Sequence, residues 1–186
     1  EYLAQMLIKE NVDTLNRYKP KKILTGCPHC FNTLKNEYPA FGAQYHVVHH
    51  TTFLSELISA GKLKPHKTDS GEITFHDSCY LGRWNGVYED PRDILRAIPE
   101  LNVKEMPRTK NKGLCCGAGG TRMFMEETIG KRINVERVEE ALETKPDVIA
   151  AGCPFCQVML SDGVTEKGKA QEVAIKDIAE IVSEQL

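Results

Sequence analysis

The chain has 186 residues, 41% hydrophobic and 27% charged, with a formal net charge of −2. That is room for one large domain or two small ones, in a composition ordinary for a folded globular protein. The near-neutral charge and the absence of a long basic tract (Lys19 to Lys22 and Lys62 to Lys67 are short and read as solvated loops) give no argument for nucleic acid, and no apolar run reaches the length of a bilayer span.

Glu1 opens inside what reads as a helix already under way, which suggests a piece of a longer polypeptide. Tyr2 to Arg17 puts Leu3, Leu7, Ile8, Val12 and Leu15 near one stripe of that helix. A strand over Lys22 to Thr25 runs into Cys27-Pro28-His29-Cys30, and a second strand spans Gln44 to Val48. His49-His50 reads as the end of that strand and the start of the next helix, Thr51 to Ala60. A threonine is its expected cap and Gly61 its stop. Glu72 to Phe75 is a strand leading through His76 to Cys79. Trp84-Asn85-Gly86 reads as a turn whose aromatic ring packs. Pro91 is placed as the first residue of a helix through Arg92 to Ala97. Val103 to Glu105 is the next strand. Arg122 to Leu142 is expected as one long helix with Ile129, Ile133 and Val138 inward. Asp147 to Ala151 is a strand entering Cys153-Pro154-Phe155-Cys156, and Glu172 to Ile175 is the last. Strands alternating with helices imply an α/β fold in which parallel sheets are covered by helices, with ligands beyond the carboxyl ends of the strands.

Two stretches match at a constant offset of 126. Lys19 to Cys30 lies over Lys145 to Cys156. Leu3, Leu7 and Val12 fall on Ile129, Ile133 and Val138, and Val47 falls on Val173. The counterparts of Cys79, Cys115 and Cys116 would lie upstream of residue 1. The expected organisation is therefore the back part of a first unit over 1–70 and a complete second unit over 71–186.

Seven cysteines, an odd number, without a secretory signal fit metal ligation in a reducing compartment better than a disulfide framework. Five of them form three evenly spaced groups: Cys79, then Cys115-Cys116, then Cys153 and Cys156. The gaps between groups are 35 and 36 residues. A thiolate set selects zinc or an iron–sulfur cluster over a hard cation. A Cys-x-x-Cys turn at a helix start favours thiolate through the unpaired N–H groups there. The glycines around Cys115-Cys116 let backbone N–H groups approach sulfur. Five ligands exceed what tetrahedral zinc or an ordinary cubane needs. Cys27 and Cys30 read as free thiols unless upstream cysteines join them.

His76 is a candidate proton or hydrogen-bond donor to a sulfur centre; the plainer reading is a strand-end histidine paired with backbone. Arg83 and Arg108 are candidates for attracting an anion or offsetting cluster charge. A thioredoxin-like dithiol would need a later cis-proline, yet Pro154 is the last proline, and that reading leaves Cys79, Cys115 and Cys116 unused. Gly117-Ala118-Gly119-Gly120 lacks the lysine and spacing of a nucleotide cradle.

Cys79, Cys115-Cys116-Gly117 and Cys153-Pro154-Phe155-Cys156 together resemble the cysteine-rich CCG domain. That domain occurs twice in one component of heterodisulfide reductase, and also in the iron–sulfur component of glycolate oxidase. It occurs as well in membrane-associated oxidoreductases that pass electrons from electron-transfer flavoprotein to a quinone. The wording His76 to Arg83, Glu105 to Arg108, Cys115 to Gly120 and Gly130 to Asn134 is most similar to the last group. The resemblance implies a [4Fe–4S] cluster, noncubane in type, on Cys79, Cys115, Cys116, Cys153 and Cys156, with zinc as the alternative metal. It implies electron transfer, with disulfide reduction at the cluster or a zinc-stabilised interaction module as alternatives. It further implies upstream segments with ferredoxin-type clusters, electron-transfer flavoprotein and quinone as redox partners, and a cytoplasmic location or one at the cytoplasmic face of a membrane.

Overall fold

Each strand of this chain is three to six residues of mostly β-branched or apolar side chains, followed by a helix that carries the chain back over the sheet. That sequence of elements closes only into parallel pairs. The computed structural model describes residues 1–66 and 71–186. Helix α1 (Tyr2–Tyr18) precedes β1 (Ile23–Thr25), α2 (Pro28–Asn32), β2 (Val47–His49) and α3 (His50–Ser59). Then come β3 (Gly71–His76), α4 (Glu89–Arg96), β4 (Leu101–Lys104), α5 (Ile133–Leu142), β5 (Val148–Ala151), α6 (Pro154–Glu166), β6 (Ala174–Asp177) and α7 (Ile178–Ser183). The strands form a two-stranded parallel sheet, β1-β2, and a four-stranded parallel sheet in the order β4-β3-β5-β6. The expected boundary at residue 70 falls in 67–70, outside the described residues, as does Lys67 of the second basic stretch.

The four-stranded sheet has a core on each face. One side packs Ile73, Phe75, Ile94, Leu95 and Ile98 with Ile178, Ile181 and Val182. The other packs Val138, Ala141, Met159, Leu160 and Val164 around Cys116, Cys153 and Cys156. The cysteines thus sit in the wall of a core, at the carboxyl ends of the strands. Helices α5 and α6 approach closely there because Gly163 has no side chain. A Cβ at that position would lie 2.8 Å from Val138 Cγ2 and 3.0 Å from the Asn134 carbonyl oxygen. Gly163→Val is therefore expected to destabilise the metal-free protein by about 1–3 kcal/mol through overpacking. An unchanged urea midpoint would refute that contact.

The repeat is written into the backbone. Lys19 and Lys145, each just before a proline and 126 positions apart, both adopt left-handed conformations, with φ 48° and 51°. Gly42 and Gly168, at the same offset, have φ 77° and 68°. Beyond that point the correspondence shifts by two. Ile23 pairs with Val47 in one sheet, but Ile149 pairs with Ile175 in the other. The N-caps of α3 and α7, His49 and Asp177, agree with the shifted alignment. Val47 thus answers to Ile175, not to Val173. Two extra residues in the turn Lys169 to Val173 absorb the difference; there the Glu172 and Val173 N–H groups both donate to the Lys169 carbonyl.

Several local expectations need correction. The long helix over Arg122 to Leu142 is instead a 3₁₀ turn (Arg122–Phe124), an irregular stretch, and α5 from Ile133. Met125 is extended (φ −116°, ψ 146°) and Gly130 has φ 70°, which no α-helix continues through. Ile129 is 91% exposed and Ile133 partly so, leaving Val138 alone of the three in the core. In α1, Leu3 and Leu7 face solvent; Val12 is buried with Ile8 and Leu15 against Tyr38 and Ala43. The α3 helix begins at His50, and the His49 ring rather than a threonine caps it, accepting from the Thr51 N–H. Pro91 is the third residue of α4, still in the first turn where its missing N–H costs no helical bond. Trp84 is 66% exposed and stacks on Tyr80 at 5.7 Å between centroids, so its ring is not packed into the core. Helix α2 is short because it passes into a π turn (Thr33–Glu37) and a 3₁₀ turn containing Pro39, where α6 runs on unbroken.

Candidate metal centre

Three strand ends deliver the five cysteines. Cys153 follows β5 and is the N-cap of α6; Pro154 takes the first helical position and Cys156 lies in the first turn. Cys79 follows β3 in a tight turn, where the Leu81 and Gly82 N–H groups donate to the Ser78 carbonyl at 3.1 and 2.9 Å. Cys115 and Cys116 come from the glycine-rich loop after β4. Gly117 has φ 89°, and a Cβ there would lie 3.2 Å from Ile133 Cβ and 3.3 Å from the Asn134 nitrogen. Only glycine lets that loop turn against the start of α5. The turn aims the Gly117 N–H at Cys115 Sγ, 3.3 Å away.

All five cysteines line one small cavity of about 40 Å³. Its remaining wall comes from Ser78, Tyr80, Ala118 and Gly119, and from Pro28 and His29 of the first Cys-x-x-Cys turn. Cys27 and Cys30 do not line it. Cys27 is half-buried, with its sulfur 3.9 Å from His29 Nδ1, and Cys30 is exposed. Cys30 opens instead on a broad, mostly apolar groove between α1 and α2. The middle residues of the two motifs, His29 and Phe155, touch edge to face at 5.1 Å. They occupy equivalent positions in the repeat, so the two units meet tip to tip, and His29 reaches over the thiols of the other unit. A second contact of this kind joins His50 Nε2 to Asp177 Oδ1 at 2.7 Å.

Neighbouring thiols perturb one another's ionisation along the series Cys79, Cys115, Cys116, Cys156 and Cys153. Cys115 gains most. The neighbouring Cys116 and Cys79 thiols, with the Gly117 N–H donated to its sulfur, bring its pKa down to about 2. The groups that serve it are driven the other way. Cys116 is pushed up to about 12, first by neighbouring Cys115; Cys79 and Cys156 are raised by neighbouring thiols and by burial. The protein on its own therefore holds few negative charges here. Ionising all five adjacent sulfurs, three of them buried, requires a multivalent cation among them. Soft donors, mutual contact and an orphaned ring nitrogen (below) together fit an iron–sulfur cluster or zinc, and do not fit magnesium or calcium.

His76 is fully buried at the end of β3. One of its ring nitrogens, Cys116 Sγ and Cys156 Sγ lie within 4.8 Å of one another. Its Nδ1 accepts from Arg137 Nε at 3.0 Å, so it is paired with a side chain and not with backbone. Burial, with the adjacent Arg137 charge, lowers its pKa to about 3. Among the described residues its Nε2 has no partner, and neither has the buried Ser78 Oγ. Arg83 is committed to the Gly113 carbonyl and Arg108 to Glu136 and Glu140. Arg108 is thus neutralised by carboxylates, whereas Arg83 lines a small cavity with Cys79 and Cys115.

A family model described as a cysteine-rich domain, CCG, matches residues 1–35 and 73–161. The chain belongs to the CCG cysteine-rich domain family. The two matched segments fall in the two pseudo-repeated units of the fold. The CCG chain is 48% identical over 184 residues to a probable iron-sulfur-binding oxidoreductase, FadF, of Bacillus subtilis. It is 43% identical over 189 residues to the EtfAB:quinone oxidoreductase of Syntrophomonas wolfei. With a component of the dihydromethanophenazine:CoB–CoM heterodisulfide reductase of Methanosarcina barkeri it shares 37% over 187 residues. These alignments cover 99%, 98% and 99% of the chain, which spans 26% of the first two relatives and 45% of the third.

Spacing pointed to the five cysteines, but not to what holds them. Asp77, two residues before Cys79, is clamped by Arg92 through two bonds of 2.8 Å. Arg92 also bonds both carboxylate oxygens of Glu105 and the Thr109 hydroxyl. Arg137 supports His76, and His29 comes from the other unit. The one sequence signal was arginine within apolar helix faces, at 92 beside Ile94 and Leu95 and at 137 beside Val138, which marks a buried, paired charge. For His29 the repeat gave its position but not that the two tips meet.

Proposed function

We propose that this chain is the cluster-binding part of an iron–sulfur oxidoreductase, with Cys79, Cys115, Cys116, Cys153 and Cys156 as ligands. The observation that carries the reading is one cavity walled by five thiols from three distant loops, at the strand ends of a family whose relatives are named iron-sulfur-binding oxidoreductase and quinone oxidoreductase. Bound there, a cluster supplies one-electron chemistry. The chain's own residues do the rest. The Gly117 N–H offsets charge on Cys115, the α6 N-terminus faces Cys153 and Cys156, and the flanking core limits water. Five thiolates exceed a cubane's four corners, so we assign a [4Fe–4S] cluster of noncubane type.

By likeness to the named relatives, the donor is an electron-transfer flavoprotein and the acceptor a quinone, with ferredoxin-type clusters on other segments or subunits. No helix among the described residues is long and apolar enough to cross a membrane. We place the chain on the cytoplasmic side, at a membrane through other segments. Residues 1–70 and 71–186 would be a partial and a complete unit, and Cys27 and Cys30 would ligate only with further cysteines.

Anaerobic reconstitution with iron and sulfide, followed by metal and acid-labile sulfide analysis and low-temperature paramagnetic resonance, tests the assignment. The expected result is a brown protein with about four irons and four sulfides. Stoichiometric zinc in a colourless protein would replace it with the interaction-module reading. The heterodisulfide reductase relative supports a second activity, reduction of a disulfide at the same centre. Turnover of thiol disulfides against flavoprotein oxidation by the whole enzyme decides between the two.

A further inference from the structure

His76 sits where a metal ligand would sit, yet its surroundings deny it that role. A histidine that ligates a metal through one ring nitrogen ordinarily donates its other N–H to a carboxylate or carbonyl. Here the partner of Nδ1 is Arg137 Nε, at 3.0 Å. A guanidinium is always a donor and never an acceptor. The Nδ1 lone pair is therefore occupied, and the ring's single proton must be on Nε2. Arg137 is itself held: its Nη1 donates to the Arg108 carbonyl and to Glu140 Oε2, both at 3.0 Å. Its side chain is wholly buried. Arg137 has no second proton state, and in this geometry, with its Nη2 unpartnered among the described residues, its Nε–H bond sets the histidine tautomer.

We infer that Arg137 is a positioning residue that locks His76 as a hydrogen-bond donor through Nε2–H to the sulfur centre, so that His76 is not a ligand of it. The inference rests on the metal-binding reading above for its acceptor, but the tautomer itself does not. The buried, unpartnered Nε2 supplies the independent observation: a donor kept dry with nothing in the protein to receive it is a standing cost unless a sulfur accepts. The repeat adds a contrast. The position equivalent to Arg137 in the first unit is Asn11, whose amide donates to the Tyr38 hydroxyl. An arginine at this place is thus a feature of the second unit and not of the equivalent position 11. A hydrogen bond to cluster sulfur stabilises the more negative, reduced form, so the pair raises the potential of whatever centre is bound.

Two measurements test this. Imidazole ¹⁵N NMR on metal-free or zinc-loaded protein labelled at histidine reads the tautomer directly, without iron. The expected spectrum for His76 has a protonated Nε2 and an unprotonated, hydrogen-bonded Nδ1. A protonated Nδ1, or a metal-shifted Nε2 in the zinc form, overturns the inference. In the iron-loaded protein His76→Leu is expected to shift the midpoint potential negative with iron content retained, and His76→Gln, which keeps a donor amide, to restore part of the shift. Loss of iron in His76→Gln, or an unmoved potential in His76→Leu, overturns it as well. If the wild-type protein takes up no iron under anaerobic conditions, the functional proposal fails while the NMR result still stands or falls by itself.

Discussion

Arg92→Leu is expected to cost the fold about 3–5 kcal/mol. The side chain is fully buried and gathers Asp77, Glu105, Thr109 and the Tyr88 carbonyl into one network. Removing it leaves two carboxylates facing each other, one of them nearly dry, and no cation to replace it. Urea denaturation of the metal-free protein gives the magnitude. The double variant Arg92→Leu/Asp77→Asn should recover part of the loss, because the stranded charge is then gone; full additivity of the two single effects would refute the network. The acid limb of the stability curve carries the same signature. Burial alone would raise Glu105, but the Arg92 and Thr109 hydrogen bonds outweigh it and hold its carboxyl below the ordinary range. A depressed carboxyl stabilises the fold above its unfolded pKa and loses that contribution as pH falls through the folded value. Arg92→Leu should therefore flatten the decline that sets in as pH falls below the ordinary carboxyl range toward the depressed folded value. Because Asp77 and Glu105 lie at the ends of β3 and β4, next to the loops bearing Cys79 and Cys115-Cys116, the variant should also lower metal uptake.

The second large effect is on cofactor content. Cys156→Ala and Cys116→Ala are each expected to reduce bound iron and acid-labile sulfide after anaerobic reconstitution at least tenfold, while Cys27→Ala and Cys30→Ala leave both unchanged. The geometry sets the contrast. Cys116 and Cys156 are buried in the middle of the thiol series, whereas Cys27 and Cys30 lie outside the cavity. Removal of one buried sulfur costs the metal-free fold only about 1 kcal/mol. Circular dichroism and thermal midpoints should thus stay close to wild type and exclude misfolding. Equal iron in all four variants would remove the five-thiol assignment.

Much of this architecture was legible in the chain. Short β-branched runs, each followed by a helical pattern, gave six parallel strands, and the matched Cys-Pro-x-Cys turns gave the repeat that Lys19 and Lys145 then reproduce in their backbone angles. The convergence of five cysteines followed from their placement after strand ends. What was not legible depends on tertiary contact. The apolar spacing of Ile129, Ile133 and Val138 mimics a helix that Met125 and Gly130 interrupt. His49 capping α3 and the two-residue shift at β6 have no local sequence signature. The supports of the site, Arg92 and Arg137, are charged residues in positions that a hydrophobic pattern treats as errors. Their partners lie 15 and 61 residues away.

The tip-to-tip meeting of His29 and Phe155 ties the durability of the thiols to a part of the chain that supplies none of them. With the proposed cluster bound beneath it, damage to this roof in the N-terminal half is expected to speed bleaching in air, which would make oxygen tolerance a property of both halves.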